Sequence, residues 1–323
     1  MSLLEAERDL LQYFERGLDP QHPESGPIPA RVLGYGEIST VFEIQADGLR
    51  GRAFKRLPLF ETAEEVAPYS QTFEEYNRLL TEEVGLRLPS QDHVWFPRPS
   101  GLPVFYIIQP QLAAQSIGHR AIQQLPPGGT YDLVRRIMDE MAKVWTFNQQ
   151  HKDLKIGLDG QISNWSIGGM ETQGGTPGGE SLTYLDTSTP LFRVRGVEQL
   201  NAELFLRSAP SFLAWILRRL FLQDVLDRYY DFHLVAIDLA ANFYKEQRPE
   251  LIPGVVRVIN EVFAGEASHL DVEPITEEEV RSYYREDALI WTSYLFARKV
   301  DRFIRVRLMW SEYPYILPEK IDR

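Results

Sequence analysis

The sequence predicts an α+β protein of two lobes, with a small antiparallel sheet in residues 1–110 and a larger, mainly helical part in residues 111–323. Three observations predict this. The chain has 323 residues, more than one ordinary domain needs. Its 44% hydrophobic and 12% aromatic residues are enough for a sizeable core. Most signals for short strands fall before residue 110, and helical periodicity dominates after it.

The small lobe is predicted to begin with a helix and three strands. Residues 1–9 form an amphipathic pattern and lack the basic region followed by an apolar stretch that marks a secretory signal. Residues 31–33 lead into a glycine turn, residues 41–45 leave it, and residues 51–57 return after the turn signal Asp47-Gly48.

A helix and two further strands complete the predicted small lobe. The helix spans about residues 67–84, because Phe73, Tyr76, Leu79 and Leu80 recur on one face at helical spacing. Strands are predicted at residues 93–96 and 104–108, on either side of a turn rich in proline and glycine.

The helical part is predicted to open after a Pro-Pro-Gly-Gly turn at residues 126–129. Thr130 is the expected N-cap of a helix with one buried face. The residues at helical spacing on that face are Leu133, Ile137, Met141, Val144, Trp145 and Asn148.

Short strands are expected around residues 165–167 and 182–185. The glycine-rich residues 168–179 between them suggest a flexible hairpin connection. Beyond Asp186 the pattern predicts helices throughout, and Thr276 with Glu279 forms a capping box that opens a long helix.

Composition argues against several classes of function. A net charge of −12 offers no basic stripe for nucleic acid or an anionic membrane. Zero cysteines exclude disulfides and thiol chemistry and fit a reducing, cytoplasmic compartment. The most apolar later stretch, residues 212–221, contains two arginines and is shorter than the ~20 residues of a membrane span, so we expect a soluble protein. The six histidines lack the spacing of a zinc site.

A glycine turn and a lysine stand in the small lobe. Gly34, Gly36 and Ser39 belong to the turn, and Lys55 ends the next apolar run. Glycine lets backbone amides approach phosphate groups, which a Cβ would obstruct. Taken alone, this turn is more typical of an ordinary hairpin.

Three polar residues follow in an order that suits phosphoryl transfer. Asn164 comes five residues after Asp159, and Asp186 follows between predicted strands. A carboxylate that can take a hydroxyl proton, and then an amide and a carboxylate that can hold Mg²⁺, are what this reaction requires. The competing register from Asp153 fails, because Leu158 five residues later cannot bind metal.

With these motifs in this order, residues 28–190 resemble the protein kinase-like fold, and within it the branch of aminoglycoside phosphotransferases and other small-molecule kinases. The resemblance implies ATP and Mg²⁺ as cofactors, with Lys55 on the α- and β-phosphates. It implies Glu75, or else Glu74, as the carboxylate that orients this lysine. It also implies Asp159 as the catalytic base, and Asn164 with Asp186 as metal ligands.

The resemblance further implies a nucleotide site in the small lobe and at the crossing between lobes. Its implied positions are Gly34, Gly36, Ser39, Val41, Ala53, Lys55, Gln109 and Gln111. The chain departs from the family where Ser39 replaces a third glycine. It departs again at Gly157-Leu158, before the base, and at Thr187-Ser188, after Asp186.

The predicted function is ATP-dependent transfer of the γ-phosphoryl group to a hydroxyl of a small molecule. The alternative is a catalytically silent pseudokinase that senses nucleotide or binds other proteins, which the departures favour. Nucleotidyl transfer is compatible with the same fold. The acceptor stays open, since residues 277–279 and Asp287 fit either a cationic acceptor or a solvated face. Residues 238–242, Asp-Leu-Ala-Ala-Asn, imitate a tyrosine kinase loop but are predicted as helix surface or packing.

Overall fold

The computed structural model describes residues 3–36, 38–168, 181–207, 222–308 and 313–317. The predicted hairpin connection after Gly168 and the apolar stretch at residues 212–221 lie outside these ranges. Within them, no helix combines the length and the apolar character needed to cross a membrane.

A five-stranded antiparallel sheet forms the first third of the chain, as the sequence predicts. Its strands, in the spatial order β1-β2-β3-β5-β4, are β1 (Ala30–Tyr35), β2 (Thr40–Ile44), β3 (Arg52–Leu57), β4 (Asp92–Pro97) and β5 (Pro103–Pro110). Side chains alternate between the faces, so Phe42 and Phe54 lie on one face while Val41 and Lys55 lie on the other.

A helix covers each face of this sheet. Helix α1 (Glu5–Gly17) packs Leu11 and Phe14 against the face of Phe42 and Phe54, which we call the outer face. Helix α2 (Val66–Arg78), which continues as a π-helical turn over Leu79–Glu83, covers the inner face. Its inward residues Tyr69 and Phe73 pack against the β5 residues Phe105 and Ile107.

Residues 313–317 return to the small sheet, although the predicted lobe division places them in the helical part. Tyr313, Tyr315 and Leu317 join the apolar cluster under α2, and Ile316 joins the cluster under α1. The carbonyl of Pro314 accepts a hydrogen bond from the Arg56 guanidinium at 2.6 Å. The core of the small sheet is therefore completed by residues from the far end of the chain.

The second part of the molecule is mainly helical, and short strands lie on both sides of the loop that contains Asp159 and Asn164. Its elements are α3 (Gly118–Ala121), α4 (Pro127–Gln150), β6 (Leu154–Ile156), β7 (Trp165–Ile167), β8 (Leu182–Tyr184), β9 (Phe192–Val194), β10 (Val197–Glu198), α5 (Glu203–Leu206), α6 (Leu222–Arg228), α7 (Phe232–Lys245), α8 (Ile252–Ala264) and α9 (Glu277–Phe303). Most residues of one buried apolar cluster belong to helices α4, α7 and α8. β7 and β8 pair antiparallel.

Two helix starts test the predicted caps. Thr276 accepts the amide of Glu279 at 3.2 Å, and Glu279 binds back to Thr276, so the predicted capping box at the start of α9 is confirmed. The predicted N-cap at Thr130 is wrong, because α4 begins with Pro127 and Thr130 lies buried inside its first turn. Proline at the first helical position needs no amide partner and already has the helical φ.

The prediction of helices throughout the region beyond Asp186 is also wrong for residues 192–198. β9 and β10 form a hairpin there, and β9 pairs with β6, the strand before the loop of Asp159. The two turn residues, Arg195 and Gly196, have positive φ angles of 50° and 78°. Such a turn matches the twist of the flanking strands, and glycine at its second position is a hairpin signal.

Candidate active site

Lys55 lies on the inner face of the sheet, toward the helical part. It pairs with Val41 of β2, and Ala53 pairs with Gln109 of β5. Because side chains alternate along a strand, these four residues share one face, and all four are half-buried. An ammonium group therefore stands beside two small apolar side chains at the cleft between the lobes.

The glycine turn joins β1 to β2, and its Glu37 lies outside the described residues. The Gly36 amide donates to the carbonyl of Ser39 at 2.9 Å and closes the turn. A Cβ on Gly36 would come within 2.7 Å of the Ser39 hydroxyl, whereas a Cβ on Gly34 would meet nothing within 4 Å. The tight turn explains glycine at position 36, and the open space at Gly34 leaves its backbone accessible to a ligand.

Asp186, two residues beyond β8, binds the lysine. Lys55 Nζ lies 2.5 Å from Asp186 Oδ1, which also accepts the amide and the hydroxyl of Ser188 at 3.1 and 2.8 Å. Burial acts to raise the pKa of Asp186, but the Lys55 ammonium and the Ser188 donors together lower it below its usual value. Two predicted site residues from different lobes are thus in contact.

Glu75, the predicted partner of Lys55, lies apart from this contact. Its carboxylate binds Arg78 through hydrogen bonds of 2.9 and 3.0 Å. The next residue, Tyr76, is fully buried against the core, and successive helical residues point about 100° apart, so Glu75 faces outward. The alternative, Glu74, lies 3.6 Å from His93. A role for either glutamate in orienting Lys55 stays a prediction.

Asp159 and Asn164 lie on the loop between β6 and β7. Asp159 Oδ1 accepts the amide of Gln161 at 3.1 Å, and Asn164 Nδ2 donates to the carbonyl of Asp159 at 3.2 Å. The carbonyl of Asn164 accepts the amide of Leu185 at 2.8 Å, which ties the loop to the residue before Asp186. Because its amide nitrogen is engaged by the loop, Asn164 has its Oδ1 oxygen left to bind a cation.

Asn164 and Asp186 offer the donor chemistry that Mg²⁺ prefers. Both present oxygen, and Mg²⁺ commonly takes one or two protein ligands together with water and phosphate oxygens. Across the described ranges, no group of three or more histidine, aspartate or glutamate side chains is arranged to hold a metal ion. The pair therefore fits a metal whose other ligands come from a nucleotide and from water.

Two buried asparagines anchor the ends of the loop. Asn148 of α4 makes a hydrogen bond of 2.7 Å with each backbone group of Ile156. Asn242 of α7 accepts the amide of Ile162 at 2.8 Å. The sequence predicts both residues only as packing or surface positions. A polar side chain within an apolar helix face is the signal that could have marked them, because buried amides need partners.

Helix α2 reaches the loop through Tyr76. The Tyr76 hydroxyl donates to the carbonyl of Gly157 at 2.9 Å, and its ring stacks on Phe192 with 6.5 Å between centroids. The predicted burial of Tyr76 is confirmed. Helical spacing of apolar residues carries no sign of the hydroxyl contact, so the sequence pattern missed this connection.

Carboxylates are concentrated around Asp159. Burial, followed by the charge of Asp186, raises the pKa of Asp159 to about 6. Asp238 of α7 has its pKa raised to about 7 by burial and by the charges of Asp159 and Asp287, although Lys245 opposes the rise. A carboxylate with a pKa near 6 accepts a hydroxyl proton better than one near 4. The site therefore favours base chemistry at Asp159.

Helix α9 places two residues near the Asp238 carboxylate. Tyr283 acts to lower the pKa of Asp238, whereas the charge of the half-buried Asp287 acts to raise it. Residues 277–279, the other acidic residues considered for an acceptor, are exposed in the first turn of α9. The acidic face of α9 therefore divides into a solvated start and one position close to the candidate site.

Gln109 and Gln111 lie where the chain crosses between the lobes. Gln109 Nε2 donates to the carbonyl of Leu185 at 3.3 Å and to Gln91 at 3.0 Å. The Gln111 amide donates to the carbonyl of Gly51 at 2.9 Å. The side chain of Gln109 thus links β5 to the residue before Asp186, while contact of this segment with adenine stays a prediction.

A cavity of about 480 Å³ lies elsewhere, along the second half of α4. Its walls include Asp139, Thr146, His151 and His269. It contains none of the residues predicted for nucleotide or metal, so side-chain geometry rather than this cavity defines the candidate site.

The two-lobed, kinase-like arrangement predicted from the sequence is confirmed by these elements. A five-stranded antiparallel sheet with one helix on its inner face precedes the loop of Asp159 and the helical part. A family model, described as a family of unknown function (DUF6206), matches residues 22–302, and the chain belongs to that family. No curated protein matches the sequence.

Solved structures similar to this chain include three that overlap most of its length. WaaP in complex with acyl carrier protein has 12% identity and a TM-score of 0.31, over 73% of this chain and 90% of that one. A variant of aminoglycoside 2′-phosphotransferase-IIIa with GDP has 11% identity and a TM-score of 0.33, over 75% and 93%. The wild-type GDP complex has 10% identity and a TM-score of 0.32, over 76% and 95%.

Proposed function

We propose that this member of the DUF6206 family is a phosphotransferase that requires ATP and Mg²⁺ and phosphorylates a hydroxyl of a small molecule. The observation that carries the proposal is the contact between Lys55 and Asp186. It joins a lysine of the sheet to a carboxylate beside the loop of Asp159 and Asn164. A phosphate-binding cation, a base and two cation ligands then share one cleft.

Asp159 serves as the base in this proposal. It orients the acceptor hydroxyl and takes its proton while the acceptor oxygen forms a bond to the γ-phosphorus. The bond from that phosphorus to its bridging oxygen breaks, and ADP leaves. The pKa of Asp159, raised to about 6 by burial and by Asp186, supports this role.

Asn164 and Asp186 are the residues that would hold Mg²⁺, with Asn164 contributing Oδ1. An ion held by these residues would supply positive charge that stabilises the phosphate groups. Lys55 binds the α- and β-phosphates, and its ammonium moves there from Asp186. The partial exposure of this pair, 17% for Lys55 and 30% for Asp186, is compatible with such an exchange of partners.

The inner face of the sheet completes the nucleotide site. Amides of residues 34–39 cover the phosphates, Val41 and Ala53 pack against adenine, and backbone groups of residues 109–112 bind its edge. The open space at Gly34 and the shared face of Val41, Ala53 and Lys55 support this arrangement.

Thermal unfolding with ATP, with and without Mg²⁺, tests the site. A ligand at 100 times its dissociation constant adds about 2.7 kcal/mol to the free energy of unfolding. We expect a Mg²⁺-dependent rise in Tm that Asp186→Ala abolishes and Asp153→Ala, an exposed control, retains. An unchanged Tm of the wild type at millimolar ATP would refute the nucleotide site.

ATP labelled at either the γ- or the α-phosphate tests the reaction. With a pool of small hydroxyl compounds, we expect label in a product only from the γ-phosphate. Label from the α-phosphate would indicate nucleotidyl transfer instead.

One observation favours a catalytically silent module that binds nucleotide or other proteins. Lys55 is bound directly to the proposed metal ligand Asp186, while Glu75 is engaged by Arg78. Neither predicted glutamate holds the lysine away from the metal position. Binding of ATP without any labelled product would support this second function.

A further inference from the structure

Ser188, one of the two residues at which the chain departs from the kinase-like pattern after Asp186, uses all of its polar groups beside the proposed metal ligand. Its amide and its hydroxyl donate to Asp186 Oδ1 at 3.1 and 2.8 Å. Its carbonyl accepts the hydroxyl of Tyr69 at 2.8 Å. Ser188 is 2% exposed and Tyr69 is 3% exposed. The donors of Ser188 are therefore held in place by buried contacts.

These bonds occupy one oxygen of the Asp186 carboxylate. Oδ1 accepts three donors, the Lys55 ammonium at 2.5 Å and the two groups of Ser188. Within the described residues, every hydrogen bond to this carboxylate ends on Oδ1. The side chain is nevertheless 30% exposed. Oδ2 is therefore the oxygen that remains for a cation.

The donors to Oδ1 differ in how lasting their contact is. Lys55 belongs to the small sheet and, in the proposed function, exchanges Asp186 for phosphate. Ser188 is only two residues from Asp186 along the chain, and aspartate side chains commonly bind the backbone two residues on. Tyr69 of α2 fixes the carbonyl of the same serine. Ser188 therefore stays bound to Oδ1 when Lys55 is withdrawn.

The number of oxygens that a carboxylate offers influences which cation it binds. Mg²⁺ requires short bonds in a nearly octahedral arrangement, which single oxygens from separate ligands satisfy. Ca²⁺ is larger, takes more oxygens and readily accepts both oxygens of one carboxylate. To offer both, Asp186 would have to release Ser188. A single oxygen from Asp186, together with Asn164 Oδ1, suits the smaller ion.

We propose that Ser188 determines which cation the site accepts, because it restricts Asp186 to the single oxygen Oδ2 and so favours Mg²⁺ over Ca²⁺. The inference rests on the proposed function, which makes Asp186 and Asn164 the cation ligands. Ser188 acts through Asp186, so it is a positioning residue rather than a ligand. A departure from the kinase-like pattern thereby becomes a source of selectivity.

The test uses Ser188→Ala, which removes the hydroxyl and keeps the amide. Thr187→Val is the matched control, because Thr187 is adjacent, is 1% exposed and places its hydroxyl on Gln91. Calorimetry measures the affinity for ATP with Mg²⁺ and with Ca²⁺. We expect Ser188→Ala to lower the ratio of the Mg²⁺ to the Ca²⁺ value about tenfold, as loss of one hydrogen bond to a charged group predicts. Thr187→Val should leave the ratio unchanged.

Tyr69→Phe is a second variant, which leaves every contact of Asp186 in place. It removes the hydroxyl that holds the Ser188 carbonyl and keeps the ring, so we expect the ratio to fall about threefold. A general loss of packing would weaken ATP binding equally with both cations, whereas lost positioning changes their ratio.

Luminescence of Tb³⁺, a cation close to Ca²⁺ in size, gives a readout that needs no nucleotide. Trp165, which follows Asn164, is placed to sensitise an ion at this site. The part of the signal that Asp186→Ala removes is assigned to the site. We expect Ser188→Ala to raise the affinity for Tb³⁺ about threefold, because a freed carboxylate can offer both oxygens. Thr187→Val should not change it.

The outcomes separate this inference from the proposed function. A wild type that binds ATP with neither cation refutes the proposed function, and Tb³⁺ then still decides whether Ser188 restricts Asp186. An unchanged ratio of affinities in Ser188→Ala overturns the inference, and so does an equal change in Thr187→Val. An unchanged affinity of Ser188→Ala for Tb³⁺ overturns it as well, because Asp186 would then be restricted without the serine hydroxyl.

Discussion

Lys55 and Arg56 are neighbours on β3, and each forms an ion pair on its own face of the sheet. The inner pair, Lys55 with Asp186, is 17% and 30% exposed. In the outer pair, Arg56 binds Glu15 of α1, and both side chains are 3% exposed. Arg56 also donates to the Pro314 carbonyl. One strand thus carries an ion pair that a ligand can reach and another sealed within protein.

Burial therefore distinguishes two consecutive residues: the buried ion pair of Arg56 stabilises the fold, and the partly exposed pair of Lys55 is available to a ligand. A sealed pair is shielded from water, so removing one member leaves a buried charge at high cost. A partly exposed pair contributes little to stability and can be replaced by water or a ligand.

Loss of Arg56 is expected to have the largest effect. Arg56→Ala leaves the Glu15 carboxylate buried without its cation, which costs about 3–5 kcal/mol of unfolding free energy. Urea unfolding measures the loss. Lys55→Ala, on the same strand, is the matched control and should cost less than Arg56→Ala, because Asp186 keeps its two Ser188 donors and is partly open to water. Equal losses for the two variants would break the comparison.

On the inner face of the sheet, loss of Asp159 is expected to affect the reaction rate rather than stability. We expect Asp159→Asn to slow phosphoryl transfer about 100-fold or more, a rise of roughly 2.7 kcal/mol in the barrier. The free energy of unfolding should not fall, because the substitution removes a carboxylate whose charged form is disfavoured by burial. Asp153→Asn, an exposed change, serves as the control in the transfer assay. Wild-type rates in Asp159→Asn would remove this residue from the role of base.

The pH dependence of stability gives a smaller, signed effect. Burial and neighbouring carboxylates raise the pKa of Asp159 to about 6 and that of Asp238 to about 7. The folded state therefore binds protons more tightly than the unfolded one, and their contribution, full below pH ~4, is lost as pH rises through 6 and 7.

Asp238→Asn tests this sign, because it removes one of the interacting charges. We expect the variant to lose less unfolding free energy than the wild type between pH 5 and pH 8 in urea titrations. The groups that act on Asp238 are Asp159, Asp287, Lys245 and Tyr283. A steeper loss in the variant would contradict the prediction.

The smallest effect is expected at Glu75. Its pair with Arg78 is about 40% exposed on both sides, so Glu75→Gln should change stability by only a few tenths of a kcal/mol. The affinity for Mg·ATP, measured by calorimetry, should stay within about twofold. A tenfold loss of affinity would instead show that Glu75 reaches Lys55 once nucleotide binds, as the resemblance implies.

The sheet, its two helices and the capping box at Thr276 were predictable because each depends on local residue patterns. Period-two and helical spacings mark the buried faces, and Thr276 with Glu279 is a local cap. The start of α4 was missed because proline at the first turn competed with Thr130 as a cap. The hairpin after β9 was missed because its signal is one short turn with positive φ angles.

The candidate site was predictable as a set of residue types in order, but its contacts depend on tertiary structure. The residues named from their order include Lys55 and Asp186, which do meet. Spacing cannot reveal that Glu75 binds Arg78 rather than Lys55, since a shift of one helical residue changes the direction of a side chain by about 100°. Nor can it reveal that Asn242 or Tyr76 binds backbone, because these bonds arise only when distant segments pack together.

Residues 313–317 impose an order on how the molecule can be made. Arg56 and Pro314 are separated by 258 positions, and at 5–20 residues per second a ribosome needs roughly 10–50 s to cover that distance. Once β5 has been synthesised, the nascent sheet has α1 and α2 but still lacks Tyr313, Tyr315, Ile316 and Leu317 until the end of that interval. Its exposed apolar edge would then be a natural target for chaperones, and the small lobe would mature last although it is synthesised first.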